Sequence, residues 1–273
     1  MKFSEGYIKL MKEAVKVKES VVVSDILSPK KENKLPYAYP CENYLDKILS
    51  NVLVRKALRK FTDDKCKNKI EEICKDCLVV YEKSFPRLNY VLNYCYKELG
   101  VNKYPKVYVT DKLTGVNALS IGSDDNPIVL ISHQAVAVLT EEELKFMIGH
   151  EIGHLLQNNL ECHTLKGMLD NVNDKSEIIG PMISEIIEVP LNQWYRCAEF
   201  TADRAGLICC KDINTVKKLF GRYGMKENNS SIENFYELAH THPLLEKRLK
   251  ELISYYENIS EGEDRYTILK SSY

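Results

Sequence analysis

The sequence has few of the features that mark membrane-spanning, secreted or repetitive proteins. Its 273 residues include 1 Trp, 12 Gly and 9 Pro, without a regular repeat, which excludes collagen-like and low-complexity folds. Lysines interrupt the first twenty residues, so the apolar core of a signal peptide is missing, and no apolar run reaches the roughly 18 residues that a spanning helix needs. We therefore expect a cytoplasmic protein without a transmembrane segment, and leave open a peripheral contact with a membrane.

Excess charge of one sign is also lacking over the whole chain. The net charge is −1 and the pI is about 6.6, which argues against a basic nucleic-acid-binding protein. Residues 1–85 are different, because they hold 18 Lys/Arg against 13 Asp/Glu. This basic region is either a solvated helical face or a surface for an anionic partner; no basic motif interleaved with aromatic residues supports nucleic-acid binding.

Nine cysteines are present, and without a secretion signal we expect reduced thiols. Cys74 and Cys77 form a CxxC motif, and Cys66 lies eight residues before it. No second CxxC or Cys/His pair follows at the spacing of a four-ligand zinc site. Core-facing helix positions are therefore favoured over a metal or redox role.

Hydrophobic periodicity divides the chain into three regions: a helical amino-terminal region at 1–85, a main domain at 86–258 and a polar tail at 259–273. The first region contains helical patterns at 44–53 and 70–81, preceded by a proline-containing loop or linker at 28–40. The main domain begins with a helix at 86–100. Alternating or β-branched segments predict three strands, and helical spacing then resumes; these elements are strands 106–110, 115–122 and 127–131, and helices 140–156, 194–209, 213–223, 232–239 and 243–256. The fold class is α+β, mostly helical, with a small three-stranded sheet.

The helix at 140–156 carries an HExxH motif. Thr140 and Glu143 form a capping box that begins the helix. His150 and His154 are four residues apart, so they lie on one face and can bind the same metal ion. Glu151 is one step round the helix, where it can act as general base toward water activated by the metal. Gly153 leaves room beside this helix for a close neighbour.

A second pair of polar residues supplies the carboxylate that such a site needs. Glu199 and Asp203 are again four residues apart on a predicted helix. One carboxylate can bind the metal, and the other can accept the free N–H of a ligand histidine. Small residues would allow close approach of the two helices; they are Ala198, Ala202, Ala205 and Gly206. His133, at a strand-to-helix junction, and His163, beyond the metal helix, are expected to be structural.

With these motifs, the chain resembles the HtpX-like and CAAX-prenyl-protease-like family of gluzincin zinc metallopeptidases. HEIGH at 150–154 and EFTAD at 199–203 carry the resemblance, with VNA at 116–118 upstream and THP at 241–243 downstream. It implies a zincin domain with one zinc per chain. The implied zinc ligands are His150, His154 and Glu199, with Glu151 as general base and Asp203 supporting a ligand histidine. It also implies that Val116, Asn117 and Ala118 form an edge strand that pairs with the substrate backbone.

The resemblance extends to His242, before Pro243, and to Arg248 six residues later. Either side chain could donate to the oxyanion that develops during hydrolysis. Alternatively, His242 could serve as a fourth metal ligand and hold the enzyme latent, or both residues could only stabilise the loop.

The sequence thus predicts a zinc-dependent metalloendopeptidase acting on a peptide or protein substrate. The alternative is a catalytically weak or latent zincin-scaffold protein with a binding or regulatory role, against which the intact Glu151 argues. The sequence specifies neither the cleavage specificity nor the oligomeric state.

Overall fold

The computed structural model describes residues 35–40, 70–170, 181–223 and 245–260. This part is mostly helical with one small sheet, as expected for an α+β fold. Its strands are β1 Leu78–Val79, β2 Lys106–Thr110, β3 Ala118–Gly122 and β4 Pro127–Ser132. Its helices are α1 Pro86–Leu99, α2 His133–Val138, α3 Glu141–Leu156, α4 Leu160–Asp170, α5 Pro181–Cys210, α6 Ile213–Tyr223 and α7 Leu245–Ser260.

The sheet is mixed, with the strand order β1-β2-β4-β3. β2 and β4 are parallel, whereas β1 pairs with β2 and β3 with β4 in antiparallel register. β3 therefore lies at an edge of the sheet that the described strands form. The apolar core lies between this sheet and the helices, and α3, which carries HExxH, is buried along most of its length.

The prediction of three strands was wrong, because β1 adds a fourth. Helical periodicity at 70–81 predicted one continuous helix, but the helical residues there end at Cys74. Leu78 pairs with Val109 and Val79 with Tyr108, and the Val80 N–H donates to the Val107 carbonyl at 2.9 Å. The sheet edge offers this β-branched segment backbone partners that local periodicity does not report.

The cysteine predictions also need correction. Cys77 lies after the helical residues, just before β1, and both Cys74 and Cys77 are half-buried free thiols. Cys197 is disulfide-bonded, so the expectation of reduced thiols does not hold for it. Among the described residues, neither CxxC cysteine belongs to a group of potential metal ligands, and Cys66 lies outside them.

Several predicted helix boundaries are confirmed and others shift. The Thr140 hydroxyl accepts from the Glu143 N–H, and Glu143 accepts from the Thr140 N–H at 2.8 Å, which completes the capping box. α5 begins at Pro181 rather than at 194, and α7 continues to Ser260, so residues 259–260 are helical rather than tail. The patterns at 44–53 and 232–239 and the tail beyond 260 lie outside the described residues.

The close contact between α3 and α5 rests on the small residues that the sequence indicated. A Cβ atom on Gly153 would lie only 2.8 Å from the Ala202 Cα and from the Ala205 Cβ. On the opposite helix, a Cβ on Gly206 would lie 2.7 Å from the Phe146 carbonyl oxygen. Each glycine therefore lacks the Cβ atom that would force the two helix backbones apart.

We predict that Gly153→Ala separates α3 from α5 and lowers the free energy of unfolding by about 1–3 kcal/mol, as overpacking does. Urea denaturation measures this change. The matched control is Gly221→Ala on α6, where a Cβ meets nothing within 4 Å; there the better helix propensity of alanine should stabilise by up to about 1 kcal/mol. Equal stability of Gly153→Ala and wild type would contradict the steric role of this glycine.

Candidate metal centre

The contact between α3 and α5 brings together the residues predicted to bind the metal. His150 and His154 project from α3 and Glu199 from α5. The two histidine Nε2 atoms are 3.0 Å apart, and the Glu199 carboxylate oxygens lie 3.3 Å from Nε2 of His154 and 3.7 Å from Nε2 of His150. These three residues are the group of potential metal ligands in the described part of the chain.

The donor atoms fit a tetrahedral ion. Bonds of 2.0–2.1 Å to zinc give tetrahedron edges of about 3.3 Å, close to the 3.0 Å between the two Nε2 atoms and the 3.3 Å between Nε2 of His154 and Oε1 of Glu199. Glu199 is completely buried and His154 is 4% exposed, so the donors are removed from bulk water. Two imidazoles and a carboxylate, held this way, leave one coordination position for water or substrate.

Different neighbours orient the two histidine rings. The Nδ1 atom of His150 lies 3.0 Å from the Asp203 Oδ1 atom, which fixes the ring and leaves Nε2 toward the other donors. Nδ1 of His154 has no hydrogen-bond partner among the described residues. Its ring instead packs against the His163 ring at 4.3 Å between centroids, and His163 stacks in turn on Tyr195 at 5.2 Å.

Arg248 reaches from α7 to the carboxylates behind the ligands. Its Nε and Nη2 atoms donate to the two Asp203 carboxylate oxygens at 2.8 and 2.6 Å, and Nη1 lies 3.1 Å from the Glu199 Oε2 atom. All three guanidinium nitrogens are therefore directed at carboxylates. The geometry favours positioning of Asp203 and Glu199 over the oxyanion-donor role that the sequence suggested.

Burial and these contacts shift the ionisation of the carboxylate and of a nearby tyrosine. Burial alone would raise the pKa of Asp203, but the Arg248 guanidinium and the His150 hydrogen bond outweigh it and lower that pKa. Burial, together with the Glu199 charge and hydrogen bond, raises the pKa of Tyr195 well above its ordinary value. Asp203 is thus held as an anion, and Tyr195 as a neutral phenol beside Glu199.

Glu151 has a partner that the sequence reading missed. The Ser120 hydroxyl, on β3, lies 2.5 Å from the Glu151 Oε2 atom and 3.0 Å from the Glu151 carbonyl oxygen. Ser120 is fully buried and Glu151 is 7% exposed. A polar residue inside an otherwise apolar strand was the signal that could have identified this contact.

The remaining predicted site residues are distributed as follows. Ala118 begins β3, whereas Val116 and Asn117 precede it, half-buried at the open end of the strand. His133 is exposed at the first position of α2 and is not in the group of potential metal ligands. His163 is outside the ligand set, although it contacts His154. His242 lies outside the described residues.

A buried site of two histidines from HExxH and a glutamate from the neighbouring helix is the arrangement of a metallopeptidase centre. The model of peptidase family M48 matches residues 82–255, so the chain belongs to this family. None of the described helices is long and apolar enough to cross a membrane.

Curated relatives agree with this assignment at low identity. The chain is 27% identical over 124 residues to the plastoglobule-localized metallopeptidase 48 of Arabidopsis thaliana, covering 44% of this chain and 36% of that protein. It is 22% identical over 221 residues to the protease HtpX homolog of Pyrococcus abyssi, covering 64% of this chain and 75% of the relative. For the Helicobacter acinonychis HtpX homolog the identity is 24%, covering 57% of this chain and 62% of the relative. No solved structure matches the chain.

We predict that Arg248→Gln weakens binding of a metal ion at this site by about 10–100-fold, as loss of a partner behind metal ligands does. It should also lower the free energy of unfolding by about 3–5 kcal/mol, since two buried carboxylates lose their cation. Chelator competition and urea denaturation measure the two effects. Lys250→Gln is the control, because Lys250 is exposed on the same helix and pairs with Glu246. Unchanged metal affinity with a lower kcat would instead support the oxyanion-donor role.

Proposed function

We propose that the protein is a zinc-dependent metalloendopeptidase with a zincin (gluzincin) fold. The observation that carries the proposal is the position of Glu151, which follows a ligand histidine on α3 and hydrogen-bonds to an edge strand of the sheet. A potential general base, three potential metal ligands and a strand edge therefore lie on neighbouring elements, which supports the proposal. The names of the relatives, a metallopeptidase and proteases, support the same reading.

His150, His154 and Glu199 would hold the zinc ion. Two neutral imidazoles and one carboxylate are a donor set that suits zinc. When bound, zinc supplies Lewis acidity that polarises the scissile carbonyl and makes water more acidic. Asp203 keeps the His150 ring oriented, and Arg248 holds the carboxylates of Asp203 and Glu199 in place.

Glu151 would move the proton. Its carboxylate accepts a proton from the attacking water and passes it to the leaving amine when the peptide bond breaks. The Ser120 hydroxyl donates to Oε2, which fixes the carboxylate and leaves Oε1 for this transfer. Water attacks the peptide directly, so no nucleophilic serine or cysteine is needed.

The substrate would be a peptide or protein in extended form. β3 is an edge strand, and an extended peptide can add to such an edge through backbone hydrogen bonds. Because β3 packs against α3 through Ser120 and Glu151, a peptide held on this strand passes close to the base and to the metal ligands.

We predict that the wild-type protein binds one zinc ion per chain and that His150→Ala and Glu199→Ala each lose it, because each removes one of three donors. Metal analysis after dialysis against a weak chelator gives the stoichiometry. His133→Ala is the matched control, since this histidine is exposed and outside the ligand set. Full zinc content in either ligand variant would show that the ligand assignment is wrong.

We predict that Glu151→Gln keeps the zinc but lowers peptide hydrolysis by roughly 10²–10⁴-fold, the contribution of a general base. Cleavage of a peptide library, followed by mass spectrometry, measures the loss. Glu142→Gln is the control, because Glu142 lies on the same helix with its side chain 46% exposed. If zinc-loaded wild type is no faster than Glu151→Gln, the latent or regulatory alternative is favoured.

A further inference from the structure

The outer edge of β3 is defined by the residues whose backbone groups point away from β4. The Asn117 carbonyl accepts from the Ser132 N–H at 2.9 Å, and the Asn117 N–H donates to the Ser132 Oγ at 3.1 Å. Backbone groups of successive strand residues alternate in direction. Asn117 and Leu119 therefore face β4, whereas Ala118, Ser120 and Gly122 present their N–H and C=O groups outward.

Helix α4 already uses the outward groups at the far end of this edge. Nδ1 of His163 lies 3.1 Å from the Ser120 carbonyl oxygen and donates to it. The Thr164 hydroxyl accepts from the Gly122 N–H at 3.0 Å and donates to the Gly122 carbonyl at 2.9 Å. These two side chains occupy the place where an added strand would continue.

The first turn of α4 is tied to the turn after β3. The Leu160 N–H donates to the Asp124 Oδ1 at 3.0 Å, and the Asp124 N–H donates to the Glu161 Oε1 at 3.2 Å. The burial of β3 follows its contact with α4. Ala118 and Leu119 are half-buried, and the strand is buried from Ser120 onward. The contact of α4 with this end of β3 is therefore part of the folded core.

The covered part begins at the level of the catalytic base. Ser120, whose carbonyl is taken by His163, is also the residue whose hydroxyl donates to Glu151. A peptide lying along β3 therefore meets α4 immediately after it passes Glu151. On that side of the scissile bond, few backbone groups of β3 remain available to hydrogen-bond the peptide.

We propose that α4 closes one end of the substrate cleft at Ser120, so that β3 offers a peptide only three backbone groups. They are the N–H and C=O of Ala118 and the N–H of Ser120. This inference rests on the proposed peptidase function and adds its substrate class: peptides held beside β3 by only about two residues on the closed side. Beyond these residues the chain must end or turn away from the sheet.

Two series of oligoalanine hydroxamates test the closure by binding rather than by turnover. In one series a carboxyl-terminal hydroxamate binds the zinc and alanines extend toward the amino terminus; in the other the hydroxamate is at the amino end. Calorimetry on the full-length zinc-loaded protein measures each affinity. In one series only, we expect the affinity to stop rising after about two residues, with less than two-fold change for each further residue. Earlier additions should raise the affinity about five-fold per backbone hydrogen bond.

Variants connect this limit to the named groups. Ala118→Pro removes an outward N–H and should abolish the gain from the first residues, whereas Ala118→Val keeps that N–H and should not. The double variant Thr164→Val with Asp124→Ala removes contacts that hold α4 to β3 and to the turn after it. Longer members of the limited series should then gain affinity several-fold. Lys103→Ala is the control, because Lys103 donates to the Asp124 carbonyl in the same turn.

Three results would overturn the closure: equal gains beyond the second residue in both series, no gain over acetohydroxamate in either series, or an unchanged limit in the loosened double variant. Failure of the proposed function has a different signature. There, hydroxamates bind with the expected limit, but no library peptide is hydrolysed faster than by Glu151→Gln.

Discussion

The close approach of α3 and α5 is the constraint on which the site depends. Imidazole and carboxylate side chains are short, so donors from two helices converge to about 3 Å only if the helix backbones nearly touch. Gly153 and Gly206 permit this, because a methyl group at either position would collide with the opposite helix. The residues that make this contact carry no chemistry themselves. They alternate with the ligands along both helices, so the spacing of the metal site is set by packing rather than by the ligands.

Burial of negative charge explains why this site needs cations. Glu151, Glu199 and Asp203 are all buried, and an unpaired buried carboxylate is costly. Arg248 contacts Glu199 and Asp203, which offsets part of that charge in the described residues around the centre. A divalent ion at the His150, His154 and Glu199 donors would offset the rest. The same ion that supplies the chemistry would therefore also stabilise the folded protein.

Local sequence patterns predicted the parts of the site that helical spacing encodes. The capping box, the two histidines of HExxH and the pair Glu199 and Asp203 all depend on positions within one helix, and the structure brings the three proposed ligands together. Contacts between distant segments were not predictable in this way. The target of Arg248, the hydrogen bond from Ser120 to Glu151 and the pairing of β1 with β2 each join elements whose relative placement is set by the whole core.

Ser120 shows how one strand residue can couple substrate binding to catalysis. Its N–H faces the open edge, its carbonyl is held by α4, and its hydroxyl holds the base. A movement of β3 therefore moves Glu151, and α4 restrains that movement through His163 and Thr164. Because His163 also packs on His154, the same helix restrains a proposed metal ligand. The arrangement connects the strand, the proposed base and a proposed metal ligand to one helix, so the proposed closure of the cleft and the positioning of these groups depend on the same contacts.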